Sequence, residues 1–209
     1  MPLQNRVLPS GEIVIDPSRG IFTGNRGCLH DDNRQLGRAR WRGRAWICCR
    51  LQWKGVRRSP MTPRRWTELF FLDEAVALSA GHRPCAYCRR ADYLAFRAAW
   101  AKAGLPSTSA PEIDRILHAA RLMPDRTQRH HTARANDLPD GTFILHQGQP
   151  ALIQANRLHP FHPSAYAAPI PRPQGVVTVI TPAPMVACLA AGYVPQVHPT
   201  ATQGAALHA

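Results

Sequence analysis

The segment Pro84-Cys85-Ala86-Tyr87-Cys88 is the part of this 209-residue chain best equipped for chemistry. Two thiols three positions apart, at the start of a helix, converge on one point. Deprotonated, they suit a soft metal ion held tetrahedrally, and zinc is the expected one. The free N–H groups and the dipole of a first helical turn stabilise the negative sulfurs.

A structural zinc needs four ligands, so two more must come from elsewhere. The candidates upstream are Cys28, His30, Cys48, Cys49 and His82. Cys48 and Cys49 are adjacent on a stretch that reads as a strand, so their side chains point to opposite faces and at most one reaches the metal. Cys49 and His30 are the preferred completion, giving Cys49, Cys85, Cys88 and His30, with Cys28, Cys48 and His82 as rivals for the fourth place.

Arginines crowd the same region. Between His30 and the thiol pair lie Arg42, Arg44, Arg57 and Arg58 among others, with Trp41, Trp46, Trp53 and Trp66 interleaved. Guanidinium forks bind phosphates and indoles stack on bases. Arg42, Arg44, Arg57, Arg58 and Arg89 are therefore the candidate nucleic-acid contacts, with DNA the expected partner. The bulk numbers agree: 26 Lys and Arg against 13 Asp and Glu give a net charge of +13. Only Lys54 and Lys102 are lysines, so a GC-rich coding bias toward arginine, alanine and proline is the competing source of that charge.

The start, Met-Pro-Leu-Gln-Asn-Arg, has no apolar core of a leader, and no apolar run has membrane-spanning length. A cytoplasmic, reducing setting is expected, in which six cysteines read as ligands or core residues rather than disulfides. Asp114 and His118, four apart on a helical pattern, are a weaker acid–base candidate.

The elements that must position these residues are legible in outline. A short apolar stretch lies at 13–15, and strands are expected over 45–54 and 67–72. Asp73 caps a helix over 74–80 that Gly81 ends. Residues 86–103 and 111–121 carry helical periodicity. Residues 124–136 read as a basic, His-rich loop, 137–153 as a β-hairpin turning near Gly148, and 159–174 as a Pro-rich connector. A strand over 176–180 and a helix over 182–191 follow.

Residues 67–89 resemble the second half of the metal-binding domain of the Ada DNA-repair proteins. The resemblance rests on Phe70, Phe71, Glu74, Ala75, Ala80, Gly81, Arg83, Pro84, Cys85 and Cys88, and extends over about 45–92. It implies a zinc module. Cys49-Arg50 falls where that family has its reactive Cys-Arg, and Trp53 stands where its second cysteine would be. Residues 105–209 carry no resemblance.

The reading is an α+β protein. A small Ada-like zinc module (20–104) precedes a smaller β-rich module (105–199) and a disordered tail (200–209). The expected function is zinc-dependent DNA binding, in DNA repair or its regulation. The alternatives are an enzyme acting on DNA, either a phosphotriester methyl acceptor through Cys49 or a zinc hydrolase or deaminase, and a zinc-stabilised protein–protein module.

Overall fold

A computed structural model describes residues 1–55, 59–107 and 109–202. Arg57, Arg58 and residues 203–209 of the expected tail lie outside the described residues.

The chain is α+β, as expected. Strands β1 (Gln4–Val7), β2 (Ile13–Ile15), β3 (Phe22–Asn25), β4 (Ile47–Arg50), β5 (Leu69–Phe71) and β6 (Arg83–Pro84) form one sheet in the order β2-β1-β5-β3-β4-β6. Helix α1 (Glu74–Ser79) follows β5, and α2 (Arg90–Lys102) and α3 (Ala110–Arg121) follow β6. Then come β7 (His131–Arg134), β8 (Thr142–His146), β9 (Gln149–Gln154), β10 (Arg157–His162), β11 (Ala165–Tyr166), β12 (Ile170–Pro171), β13 (Val176–Val179) and α4 (Ala183–Ala190). The second sheet runs β11-β10-β9-β8-β13-β7, with β12 also on β10.

Local signals account for most boundaries. Asp73 caps α1 through its Oδ1, which accepts the Val76 N–H at 2.9 Å. Gly81, at φ +84°, ends that helix. Gln147 and Gly148 both have positive φ, so β8 and β9 close through a two-residue turn of the type that matches strand twist. Gly24 on β3 is a close approach: a Cβ there would meet the Ile47 carbonyl oxygen at 2.1 Å, so only glycine lets β3 lie flat on β4.

Two stretches differ from expectation. The His-rich 124–136 contains β7, which pairs along its length with β13, and the Pro-rich 159–174 holds parts of β10, β11 and β12. The helix expected over 86–103 starts later, at Arg90, because residues 85–89 form the thiol turn.

Residues from both sides of the expected 104/105 boundary share their cores. Phe22, Leu69, Phe71 and Ala75 pack with Phe143, Leu152, Tyr166 and Ile180. Phe96 and Trp100 of α2 pack with Ile113 and Leu117 of α3 and Met185 and Leu189 of α4. A buried polar strap adds to this. The Asp73 Oδ2 accepts the Tyr166 hydroxyl at 2.8 Å and the His198 N–H at 2.9 Å. The Glu74 carboxylate accepts the Tyr193 hydroxyl and the Gln196 N–H. Burial pushes the Asp73 carboxyl up to about 6 despite those donors. Buried polar groups paired this densely fix one arrangement of the C-terminal segment over α1. No helix among the described residues is long and apolar enough to cross a membrane.

Candidate metal centre

Strand alternation sorts the adjacent cysteines. Cys48 points into the core and is fully buried, while Cys49 lies half-buried on the other face. Strand β6 runs parallel to β4, with Arg83 beside Ile47 and Pro84 beside Cys48. The Cys85 N–H donates to the Cys48 carbonyl at 2.9 Å, which extends that register by one residue and sets Cys85 beside Cys49. The chain then turns, with Arg89 N–H donating to the Cys85 carbonyl at 3.1 Å, and Cys88 comes back to the same place. The three sulfurs of Cys49, Cys85 and Cys88 lie within 4.8 Å of one another and could hold a metal ion.

The electrostatics favour thiolate at Cys85. The Tyr87 N–H points at the Cys85 Sγ, 3.4 Å away. Hydrogen bonds from the Cys49 and Cys88 thiols, helped by the Cys88 and Tyr87 N–H groups, hold Cys85 far down, to about 2. Cys49 is pushed up, first by its hydrogen bonds to Cys85 and Cys88 and then by burial. At Cys88 the Cys49 contact pulls down, but the Cys85 contact and burial outweigh it and the thiol is raised. The three sulfurs thus compete with one another, Cys85 being pulled down while Cys49 and Cys88 are pushed up. A metal ion would remove that conflict.

No fourth His, Cys, Asp or Glu joins the three among the described residues. His30, the expected fourth ligand, is placed elsewhere. Its Nε2 lies 3.1 Å from the Thr62 carbonyl and its Nδ1 2.7 Å from the Thr67 hydroxyl. The Thr62 oxygen can only accept, so Nε2 carries the proton, and both ring nitrogens are engaged. The Cys28 thiol is exposed and turned to the His30 carbonyl. Cys48 accepts from Arg89 Nη1 at 3.4 Å on the far face of β4. His82 is buried, with its Nε2 accepting from Arg26 Nε at 3.1 Å.

Arg89, an expected nucleic-acid contact, also lies away from the surface. It is fully buried, with Nη2 on Glu74 at 2.7 Å, Nε on Asp92 at 2.9 Å and its guanidinium over the Phe22 ring. A side chain so enclosed braces the turn from within and cannot meet a phosphate. Arg42 and Arg44 are exposed on the loop that leads into β4. Asp114 is buried and held bidentately by Arg83 at 2.8 Å, so the expected pairing with His118 does not occur.

The surface around the sulfurs is cationic and aromatic. Arg50, Lys54 and Arg90 are exposed. The Arg50 guanidinium lies 6.0 Å from the Trp53 ring centre and the Lys54 ammonium 5.7 Å from that of Tyr87. Trp53 and Tyr87 meet edge to face at 5.9 Å, and Tyr87 is 66% exposed. Tyr87 falls inside the helical pattern of residues 86–103 yet precedes α2, which starts at Arg90. Its place between the two cysteines, at the tip of the turn, was the signal that it faces outward. No family model matches the chain, and neither a curated protein nor a solved structure shows a match.

Proposed function

We propose that Cys49, Cys85 and Cys88 bind zinc and that the metal orders a turn through which the chain binds nucleic acid, with DNA the expected partner. The observation that carries this is the meeting of three sulfurs within 4.8 Å on a stretch whose chain neighbours Arg50, Lys54 and Arg90 are exposed cations. Tetrahedral zinc with a Zn–S bond of about 2.3 Å sets its sulfurs about 3.8 Å apart, so small side-chain adjustments complete the site. The remaining position would take a ligand from outside this cysteine set. The resemblance of residues 67–89 to Ada-type metal modules supports the same reading, as do six free thiols, which suit a cytoplasmic setting.

The cations supply phosphate contacts, and the Trp53 and Tyr87 rings offer stacking faces for unpaired bases. Arg42 and Arg44 extend the basic surface along the loop before β4. Fluorescence anisotropy with labelled single-stranded and duplex oligonucleotides tests the reading. Binding should weaken steeply between about 50 and about 200 mM salt. The triple variant R50A/K54A/R90A should weaken it further and flatten the salt slope by roughly one per lost phosphate contact. Salt-insensitive binding, or none, would contradict the reading.

A sacrificial methyl acceptor is the second reading, favoured by the partial exposure of Cys49 and by the place of Cys49-Arg50 where the resembling family has its reactive Cys-Arg. In that step the Cys49 sulfur attacks the methyl carbon of a DNA phosphotriester. The S–C bond forms, the C–O bond breaks, and the phosphodiester leaves as the anion. Peptide mass analysis after incubation with methylated DNA separates the readings, because only a methyl acceptor acquires S-methyl-Cys49.

A further inference from the structure

A second site lies at the other end of β4. Trp46, immediately before that strand, forms the floor of a cleft of about 830 Å³. Five arginines line it, Arg26, Arg38, Arg40, Arg121 and Arg126, against one carboxylate, Glu12. None of the three clustered sulfurs contributes, so the site stands whether or not they hold a metal.

Two of these arginines are unusual. Arg26 and Arg121 are each only 2% exposed, and both guanidinium groups lie against the Trp46 ring, 3.9 and 3.7 Å from its centre. All their hydrogen-bond partners are neutral. Arg26 donates to the Gly11 carbonyl and to His82. Arg121 donates to the Gly81 and Arg44 carbonyls and contacts His118. One nitrogen of each, Arg26 Nη2 and Arg121 Nε, is buried with no partner among the described residues. Asp114, the acid closest in effect to Arg121, is already held by Arg83. Burial pushes both guanidinium groups down, and the Arg26 and Arg83 cations depress Arg121 further. Buried charge without a counter-ion is rare unless a ligand supplies it. Gly11, in the cleft wall, packs against this group: a Cβ there would lie in van der Waals contact with Arg26 Nη2, at 3.7 Å.

We propose that this cleft binds the phosphate of an organic phosphate, with Arg26 and Arg121 at its floor, Arg38, Arg40 and Arg126 at its mouth and the half-exposed Trp41 ring beside it. Guanidinium donors arriving from several directions match a multiply charged tetrahedral anion better than a planar carboxylate. Trp41, 5.8 Å from Trp46, gives a planar ring attached to that phosphate a surface to lie on. A nucleotide unit has both parts, and its source is a free nucleotide or the phosphorylated end of a strand.

Titration calorimetry of the full chain tests this with adenosine monophosphate, adenosine, and one oligonucleotide with and without a 5′-phosphate. The monophosphate should bind, adenosine should bind weaker by roughly tenfold or more, and R26Q should lose a similar factor. An oligonucleotide advantage that needs its 5′-phosphate would identify a strand end as the source. Its absence, with the monophosphate still binding, would identify the free nucleotide. Circular dichroism checks that R26Q is folded. If it is not, the exposed pair R38A/R126A should weaken binding by roughly threefold or more. Equal binding of adenosine and its monophosphate, no binding of either phosphate, or unchanged binding by a folded R26Q or by R38A/R126A would overturn the proposal.

Discussion

The Arg89 guanidinium and the Glu74 carboxylate meet at 2.7 Å in the interior, with side-chain exposures of 0% and 1%. Arg89 sits one residue after Cys88, and Glu74 opens α1 and receives Tyr193 and Gln196 from the far end of the chain. One ion pair therefore joins the sulfur turn, the first sheet and the C-terminal segment.

Removing one partner of that pair strands a buried charge, which costs about 3–5 kcal/mol. R89M, which leaves the Glu74 carboxylate alone, should lose stability of that order in chemical denaturation, and E74Q should lose less, because Arg89 keeps Asp92 at 2.9 Å. The double variant should lose clearly less than the sum of the two, since neither charge is then left alone. Losses that simply add would mean the two side chains act separately.

His82 gives the fold a pH dependence. Burial first, then the nearby Arg26 and Arg121 cations, hold its imidazole well below its ordinary 6.5. Below that pH the unfolded chain takes up a proton that the folded chain refuses. The stability contributed by neutral His82 is thus present above about pH 6.5 and is lost as pH falls. His82→Gln keeps an acceptor for Arg26 Nε and removes the titration. The stability gap between wild type and H82Q should shift against wild type by about 1.4 kcal/mol per pH unit on acidification below about pH 6. A constant gap between pH 7.5 and 5.5, to about 0.3 kcal/mol, would show that His82 does not titrate this way.

The six thiols should sort into three classes toward iodoacetamide. Cys28 is exposed and should react in the native protein. Cys49, Cys85 and Cys88 should be protected while metal is bound and react once a chelator is added. Cys48 and Cys188 are buried in the core, and burial pushes Cys188 up to about 12. They should react only in denaturant. Peptide mapping reads each class, and protection of Cys49 alone among the three would break the cluster apart.

The thiol pair was legible in the sequence because its ligand geometry is local: Pro-Cys-x-x-Cys is one turn. Strand alternation allows only one of Cys48 and Cys49 to reach the metal, and the sheet, by setting Cys85 beside Cys49, selects the second. His30 was misplaced because its partners, Thr62 and Thr67, are more than thirty residues away. A surface role for Arg89 failed for the same reason, since Glu74 and Cys48 are brought to it only by the sheet. Strand β10 hid behind proline, which disfavours central strands, yet Pro160 sits in register with Ala151. Strand β7 hid in a polar loop pattern and is held by its pairing with β13. The Arg26–Trp46–Arg121 cluster spans 95 positions of chain and left no local trace.

Elemental analysis of untagged protein, wild type beside C49S, C85S, C88S and H30A, tests the metal centre most directly. One zinc per chain in wild type and H30A, lost in each of the three cysteine variants, is the predicted result. No zinc in the wild type, or zinc lost in H30A and kept in C49S, would contradict the account.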